Sequence, residues 1–105
     1  MKLFGSDLCP WCLDCKENLD KYGIPYTFVD INASMRNLAI FLKMRDTHPI
    51  FTHAKAAHDI GIPALVDEDR KIILNWEDWL RGQGFQVQYR HVKSDGSCSV
   101  DEKNC

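Results

Sequence analysis

Cys9 and Cys12 are separated by Pro10 and Trp11 in the run Cys9-Pro10-Trp11-Cys12, a spacing at which one turn of helix brings two sulfurs within reach of a disulfide. A cysteine just ahead of a helix faces the unpaired amides of the first turn and the positive end of the helix dipole, and both favour thiolate over thiol. Pro10 suits the first helical position, where a missing N–H leaves nothing unpaired and the fixed φ matches the helix. Thiols so placed ionise at about 3.5 to 7.5 instead of about 8.5, so Cys9 is expected to be substantially ionised at neutral pH. Cys12, one turn further in, is expected to be more enclosed. The chemistry this implies is thiol–disulfide exchange, with Cys9 as the attacking nucleophile and Cys12 as the thiol that resolves the mixed disulfide.

The competing use of the same pair is half of a structural zinc site, which needs a second ligand pair at suitable spacing. His48, His53, His58 and His91 do not lie near another cysteine in a finger-like pattern, and no metal site is expected. Cys15 extends the pattern to Cys9-x-x-Cys12-x-x-Cys15, which an iron–sulfur cluster or another soft metal centre would accept. On a helix, however, Cys12 and Cys15 share the inward face with Leu19 and Tyr22, and a buried, inert Cys15 is expected. Cys98 and Cys105 could form a second pair that exchanges with Cys12. Nothing in Ser94-Asp95-Gly96-Ser97 fixes a geometry for them, so they are read as exposed thiols open to oxidation.

The elements that must position this chemistry follow from local patterning. Lys2 to Ser6 is a short apolar segment leading into Cys9-Pro10. From Trp11 to Tyr22 apolar residues recur at helical spacing, with Gly23 as the stop. Tyr26-Thr27-Phe28-Val29-Asp30-Ile31 is rich in β-branched and aromatic residues and is predicted as a strand. Asn32 or Ser34 can cap a second helix, whose stripe runs through Met35, Leu38, Leu42 and Arg45 with Ala39 and Phe41 beside it. His48-Pro49 interrupts it, and a further helical stretch is placed over Ile50 to His58. Ile62 to Val66 and Arg70 to Leu74, joined by Asp67-Glu68-Asp69, are predicted as a hairpin. Asn75 caps a last helix from Trp76 to about Gln83, with Asp78 in a loose capping box. Phe85 to Val92 alternates like a strand, and the polar stretch from Lys93 to Cys105 is expected to be mobile.

Size and charge narrow the rest. With 105 residues and 45% hydrophobic content, the chain suffices for one domain with one core. A net charge of -2 without like-charge runs excludes nucleic acid as an expected partner. No stretch of 18 consecutive apolar residues occurs, and the first residues lack a signal-peptide core, so no membrane association and a cytoplasmic location are expected. The chain has five cysteines, an odd count, with three close together; in a reducing compartment this points to redox chemistry instead of structural bridges.

From Leu3 to Leu80 the chain resembles a glutaredoxin: strand, Cys-Pro-aromatic-Cys at a helix start, strand, helix, an apolar-Pro step entering a hairpin, then a helix. The resemblance implies an α/β, thioredoxin-like fold with a four-stranded mixed sheet flanked by helices. The glutaredoxin-like domain would span 1–84, with 85–105 as a partly flexible C-terminal extension. It implies that Pro63 is cis and faces the redox pair, and that the Ile62 backbone offers hydrogen bonds to a bound thiol or peptide. Trp11 would offer a flat face to a disulfide substrate; Trp76 and Trp79 are expected to pack in the core, with ligand contact left open for Trp76, which stands at a position that touches glutathione in relatives. Two departures from the family pattern stand out. Ser6-Asp7-Leu8 replaces the usual basic residue before the first cysteine, and Asn75-Trp76 replaces Gly-Gly, leaving Asp78 as the nearest match to the residue that holds the glutathione amino group.

The implied activity is reduction of protein or low-molecular-weight disulfides by a monomer with no tightly bound cofactor. Its reductant would be glutathione or a thioredoxin-reductase-type enzyme. The alternative is an iron–sulfur or metal-binding protein using Cys9 with Cys12, Cys15 or a second subunit; Pro10 inside the motif argues against it.

Overall fold

The computed structural model describes residues 1–92. Cys98, Cys105 and the expected mobility of the stretch from Lys93 lie outside the described residues. The elements in order are β1 (Lys2–Gly5), α1 (Pro10–Lys21), β2 (Thr27–Asp30), α2 (Met35–Thr47), a 3-10 turn (Pro49–Phe51) running into α3 (Thr52–Ala56), β3 (Ala64–Val66), β4 (Ile72–Ile73) and α4 (Trp76–Gly82). The strands form one sheet in the order β2-β1-β3-β4. β1 and β2 are parallel with α1 as their crossover, β3 runs antiparallel to β1, and β4 antiparallel to β3. This is the four-stranded mixed sheet with flanking helices of a thioredoxin-like fold.

Strand alternation divides the core in two, because successive side chains leave a strand on opposite faces. Leu3, Leu65 and Ile73 meet Cys15 and Leu19 of α1 and Trp76 and Leu80 of α4. Phe4, Ala64 and Ile72 meet Phe41 of α2, Phe51, Ile62, and also Cys9 and Cys12. The redox motif thus enters the Phe41 side, while Cys15, one turn on, packs with the α4 side.

Local signals mark most boundaries. α1 ends at Tyr22, with Gly23 at φ +66 beyond it, a conformation glycine adopts without penalty. The Ser34 hydroxyl caps α2 by accepting from the Asn37 N–H at 3.0 Å. At α4 the N-cap half of the expected box is present: Asn75 Oδ1 accepts from Asp78 N–H at 3.4 Å, and the two side chains also meet, Asn75 Nδ2 donating to Asp78 Oδ2 at 2.6 Å. The acidic turn of the hairpin is closed by Asp67 Oδ1, which accepts from the N–H groups of Asp69 and Lys71.

Three expectations need correction. The buried residue of α2 is Phe41, flanked by half-buried Leu38 and Met44, whereas Met35 and Leu42 of the expected stripe are exposed. The helix is turned so that Phe41 sits between the rings of Phe4 and Phe51, 6.1 Å from each; aromatic packing outweighs the longer aliphatic stripe. The helix expected over Ile50 to His58 is shorter, ending at Ala56 with His58 at φ +61. Phe85 to Val92 is not a strand: Phe85 and Val87 do turn toward the core, but the backbone groups of this segment pair with side chains of α1 instead of a sheet edge.

Candidate redox site

The site is built on the loop between β1 and α1. Ser6 C=O accepts from Cys9 N–H at 3.2 Å. The Ser6 hydroxyl accepts from Leu8 N–H at 3.1 Å and donates to Asn32 Oδ1. Asp7 pairs with Lys16 at 2.8 Å, tying the loop to the second turn of α1. Cys9 is the residue before the helix, in extended conformation, with Pro10 at the first helical position as the sequence predicts. Its carbonyl receives the N–H groups of Cys12 and Leu13 at 3.0 and 3.1 Å.

Cys12 lies fully buried behind it. β1 passes so near that a Cβ at Gly5 would stand 2.9 Å from Cys12 Sγ, closer than packing permits. Gly5 is therefore a residue the site depends on that the motif did not reveal; its signal is a lone glycine ending a strand. Burial, assisted by the Asp7 charge and opposed by a backbone hydrogen bond from Ser6, pushes the Cys12 thiol up to about 12. Burial raises Cys15 as well, in keeping with the inert role expected of it.

Cys9 itself is 3% exposed. Cys12 and Cys15 are free thiols. Cys9 opens onto a hollow of about 150 Å³ whose walls include Leu8, Ile31, Ile60 and Ile62.

Ile62 connects this hollow to a larger one of about 440 Å³, walled by Ile50, His53, Ile62, Pro63, Leu74 and Asn75. The Ile62–Pro63 peptide is cis, as the resemblance implied. Arg45 of α2 delivers this corner, with Nε and Nη2 donating to the carbonyls of Ile60 and Asp59, each at 2.8 Å. Gly61 stands at φ +97, and a Cβ there would lie 3.0 Å from the Phe51 ring, so glycine is required. Of the residues singled out in the sequence, Cys9 and Ile62 share the first hollow, and Ile62 and Pro63 share the second.

Trp11 is half-buried between both core clusters, with the Tyr89 ring edge-on to it at 6.0 Å. Trp76 is buried and Trp79 half-buried against the same cluster, in core positions as expected. Asp78 lines neither hollow; it closes the α4 cap and pairs with Arg81 at 3.2 Å.

Sequence reasoning missed Asp14 and Asn18, buried polar residues on the inward side of α1. Asp14 Oδ1 accepts from the N–H groups of Arg90 and His91 at 2.8 and 3.0 Å, and Oδ2 from Val92 at 2.8 Å. Asn18 brackets Gln88, donating to its carbonyl at 2.7 Å and accepting from its N–H at 2.9 Å. Asp14, Glu17 and His91 bring ligand-type atoms within 4.8 Å of one another, but the Asp14 oxygens are engaged by backbone and His91 Nε2 pairs with Glu17 at 3.1 Å. The cluster works as an anchor for the residues that follow α4.

The raised Cys12 pKa has two measurable consequences in the reduced protein. Cys12 should resist alkylation at neutral pH while folded and react like an ordinary thiol in denaturant. Peptide mass spectrometry after a timed iodoacetamide pulse checks this, and equal rates in the two states would contradict it. The unfolded chain releases the Cys12 proton first, from an ordinary value near 9.0, and the native state only at about 12. Stability should therefore decline as pH rises between those values, by roughly 1.4 kcal/mol per pH unit, a slope that Cys12→Ala should lessen.

Residues 1–49 match the family model for glutaredoxin. A relative from Haemophilus influenzae, described as an uncharacterized protein, is 34% identical over 73 residues, covering 70% of this chain and 85% of the relative. No solved structure matches the chain. Among the described residues no helix is long and apolar enough to cross a membrane.

Proposed function

The chain belongs to the glutaredoxin family, and from that premise we propose that it reduces protein or low-molecular-weight disulfides, with Cys9 as nucleophile and Cys12 as resolving thiol. The observation that carries the reading is the placement of Cys9 at the start of α1, opening onto a hollow whose wall includes Ile62, the residue before cis Pro63. A thiolate there is favoured by the helix dipole. Cys9 attacks one sulfur of the substrate; a Cys9–substrate bond forms, and the other half leaves as thiolate. Attack by Cys12 on Cys9 then expels the bound half, leaving Cys9 and Cys12 oxidised by two electrons for a reductant to restore.

Among the described residues no lysine or arginine lines either hollow, so the two carboxylates of glutathione meet no cation among them there. The walls are mainly apolar, which suits a peptide segment carrying the disulfide. This favours a protein disulfide as substrate, with glutathione or a thioredoxin-reductase-type enzyme as reductant and no tightly bound cofactor. Action in the cytosol fits a chemistry that needs free thiols. Cys15 packs in the cluster opposite to Cys9 and Cys12, which gives no support to a shared ligand set for a cluster or metal.

The test is a coupled assay on a protein disulfide, run once with glutathione and its reductase and once with a dithiol reductant. Sustained nicotinamide or dithiol consumption above background is expected. Consumption at background with both reductants would sink the proposal.

A further inference from the structure

On α1, Trp11, Asp14 and Asn18 follow one another at spacings of three and four residues, which puts them on one face of the helix. The residues after α4 lie against that face: Asn18 brackets Gln88, and Asp14 gathers Arg90, His91 and Val92. Tyr89 falls between these two anchors, and its hydroxyl donates to Glu77 Oε2 of α4 at 2.8 Å. Bonds to α1 on either side and to α4 at the tip therefore fix this ring. It meets Trp11 at 6.0 Å and 84° and Trp76 at 6.4 Å and 68°, within the separations and edge-on orientations that aromatic pairs prefer.

Trp11 stands between Cys9 and Cys12 in the chain and packs against the cluster that contains them both. Among the described residues no hydrogen bond holds its indole N–H, and Tyr89 is its one ring partner. The orientation of the aromatic residue inside the redox motif is thus set by a residue of the segment after α4. Tyr89 is itself 43% exposed, so removing its ring leaves both core clusters in place.

Resting on the reading of Cys9 and Cys12 as the redox pair, we propose that Tyr89 is a positioning residue that acts through Trp11. It holds the indole beside the pair in the orientation in which Trp11 meets the disulfide-bearing segment of a protein substrate. A side chain that is already ordered does not have to be immobilised at binding, and affinity gains by that difference. The contact between substrate and Trp11 is the same in the bound and the reacting complex, so the effect falls on KM and leaves kcat in place.

The test uses the full chain in the coupled assay above, with insulin as the protein disulfide. Tyr89→Ala is expected to raise KM by about two- to tenfold at unchanged kcat. Tyr89→Leu, which fills the volume without a ring, should give the same KM, and Tyr89→Phe, which keeps the ring, should stay near the parent chain. In a Trp11→Ala chain, Tyr89→Ala should change KM no further, because the residue through which it acts is gone. A second readout does not depend on turnover. Chains labelled with 5-fluorotryptophan give a fluorine resonance for Trp11, identified by its loss in Trp11→Phe, which should shift in Tyr89→Ala and hold its place in Tyr89→Phe. The inference is overturned if Tyr89→Ala keeps the parent's KM, if it raises KM equally in the Trp11→Ala chain, if Tyr89→Phe behaves like Tyr89→Ala, or if the Trp11 resonance does not move. Absence of turnover in the parent chain is a different result, which removes the reading of the redox pair and this inference with it.

Discussion

Cys9→Ser is expected to reduce disulfide turnover to the uncatalysed background. A serine hydroxyl can neither form the mixed disulfide nor ionise near neutral pH, so the first bond of the cycle is never made. The substitution is nearly isosteric at a site that is 3% exposed, and the α1 start keeps Pro10 and the backbone bonds from Cys12 and Leu13; the fold should survive, which circular dichroism and a denaturation curve can show. Cys12→Ser should behave differently, because it leaves the nucleophile intact. It should form the mixed disulfide at the normal rate and be slowed afterwards. Sustained turnover by folded Cys9→Ser in the coupled assay would refute the mechanism at its first step.

Asp14→Ala is expected to be the most destabilising polar substitution in the chain, by about 2 to 4 kcal/mol under reducing conditions. Hydrogen bonds to a charged group contribute about 1.5 to 3 kcal/mol each, and Asp14 receives them from Arg90, His91 and Val92, three successive residues of the strap that residues 85–92 form after α4. The total stays below the sum because the freed N–H groups of the half-exposed strap can turn to water. Loss of the anchor should also loosen the Tyr89 ring from Trp11 and Trp76, which it meets at 6.0 and 6.4 Å. Urea unfolding followed by tryptophan fluorescence measures both, as a lower midpoint and an altered native baseline. A midpoint unchanged from the parent chain would mean that the strap contributes nothing to the fold.

Much of the site was legible because its signals are local. Cys9-Pro10 reads as a helix start from propensity and capping alone, and Ser34 and Asn75 reveal two more helix starts through the side chains that cap them. The hairpin followed from its strand-like runs and turn residues, whereas the four-stranded mixed sheet was what the resemblance to glutaredoxins implied. The face of α2 was misjudged because helical periodicity permits several overlapping stripes, and only the positions of Phe4 and Phe51 select the one through Phe41. The alternation of Phe85 to Val92 marked Phe85 and Val87 as residues that turn toward the core, but what the backbone of the segment pairs with was not visible.

The sequence by itself determined the chemistry: two cysteines a helical turn apart, a proline that starts the helix between them, and a second proline entering the hairpin. Tertiary structure alone decided how that chemistry is framed. Gly5 clears space for the Cys12 sulfur, Arg45 holds the loop that presents Ile62, and Asp14 bonds residues 76 to 78 positions further along the chain. The reason is physical. Capping, turn formation and periodicity act between residues a few positions apart and leave a trace in any short window. A buried carboxylate looks like any helical aspartate until the chain folds back and spends its backbone N–H groups on it.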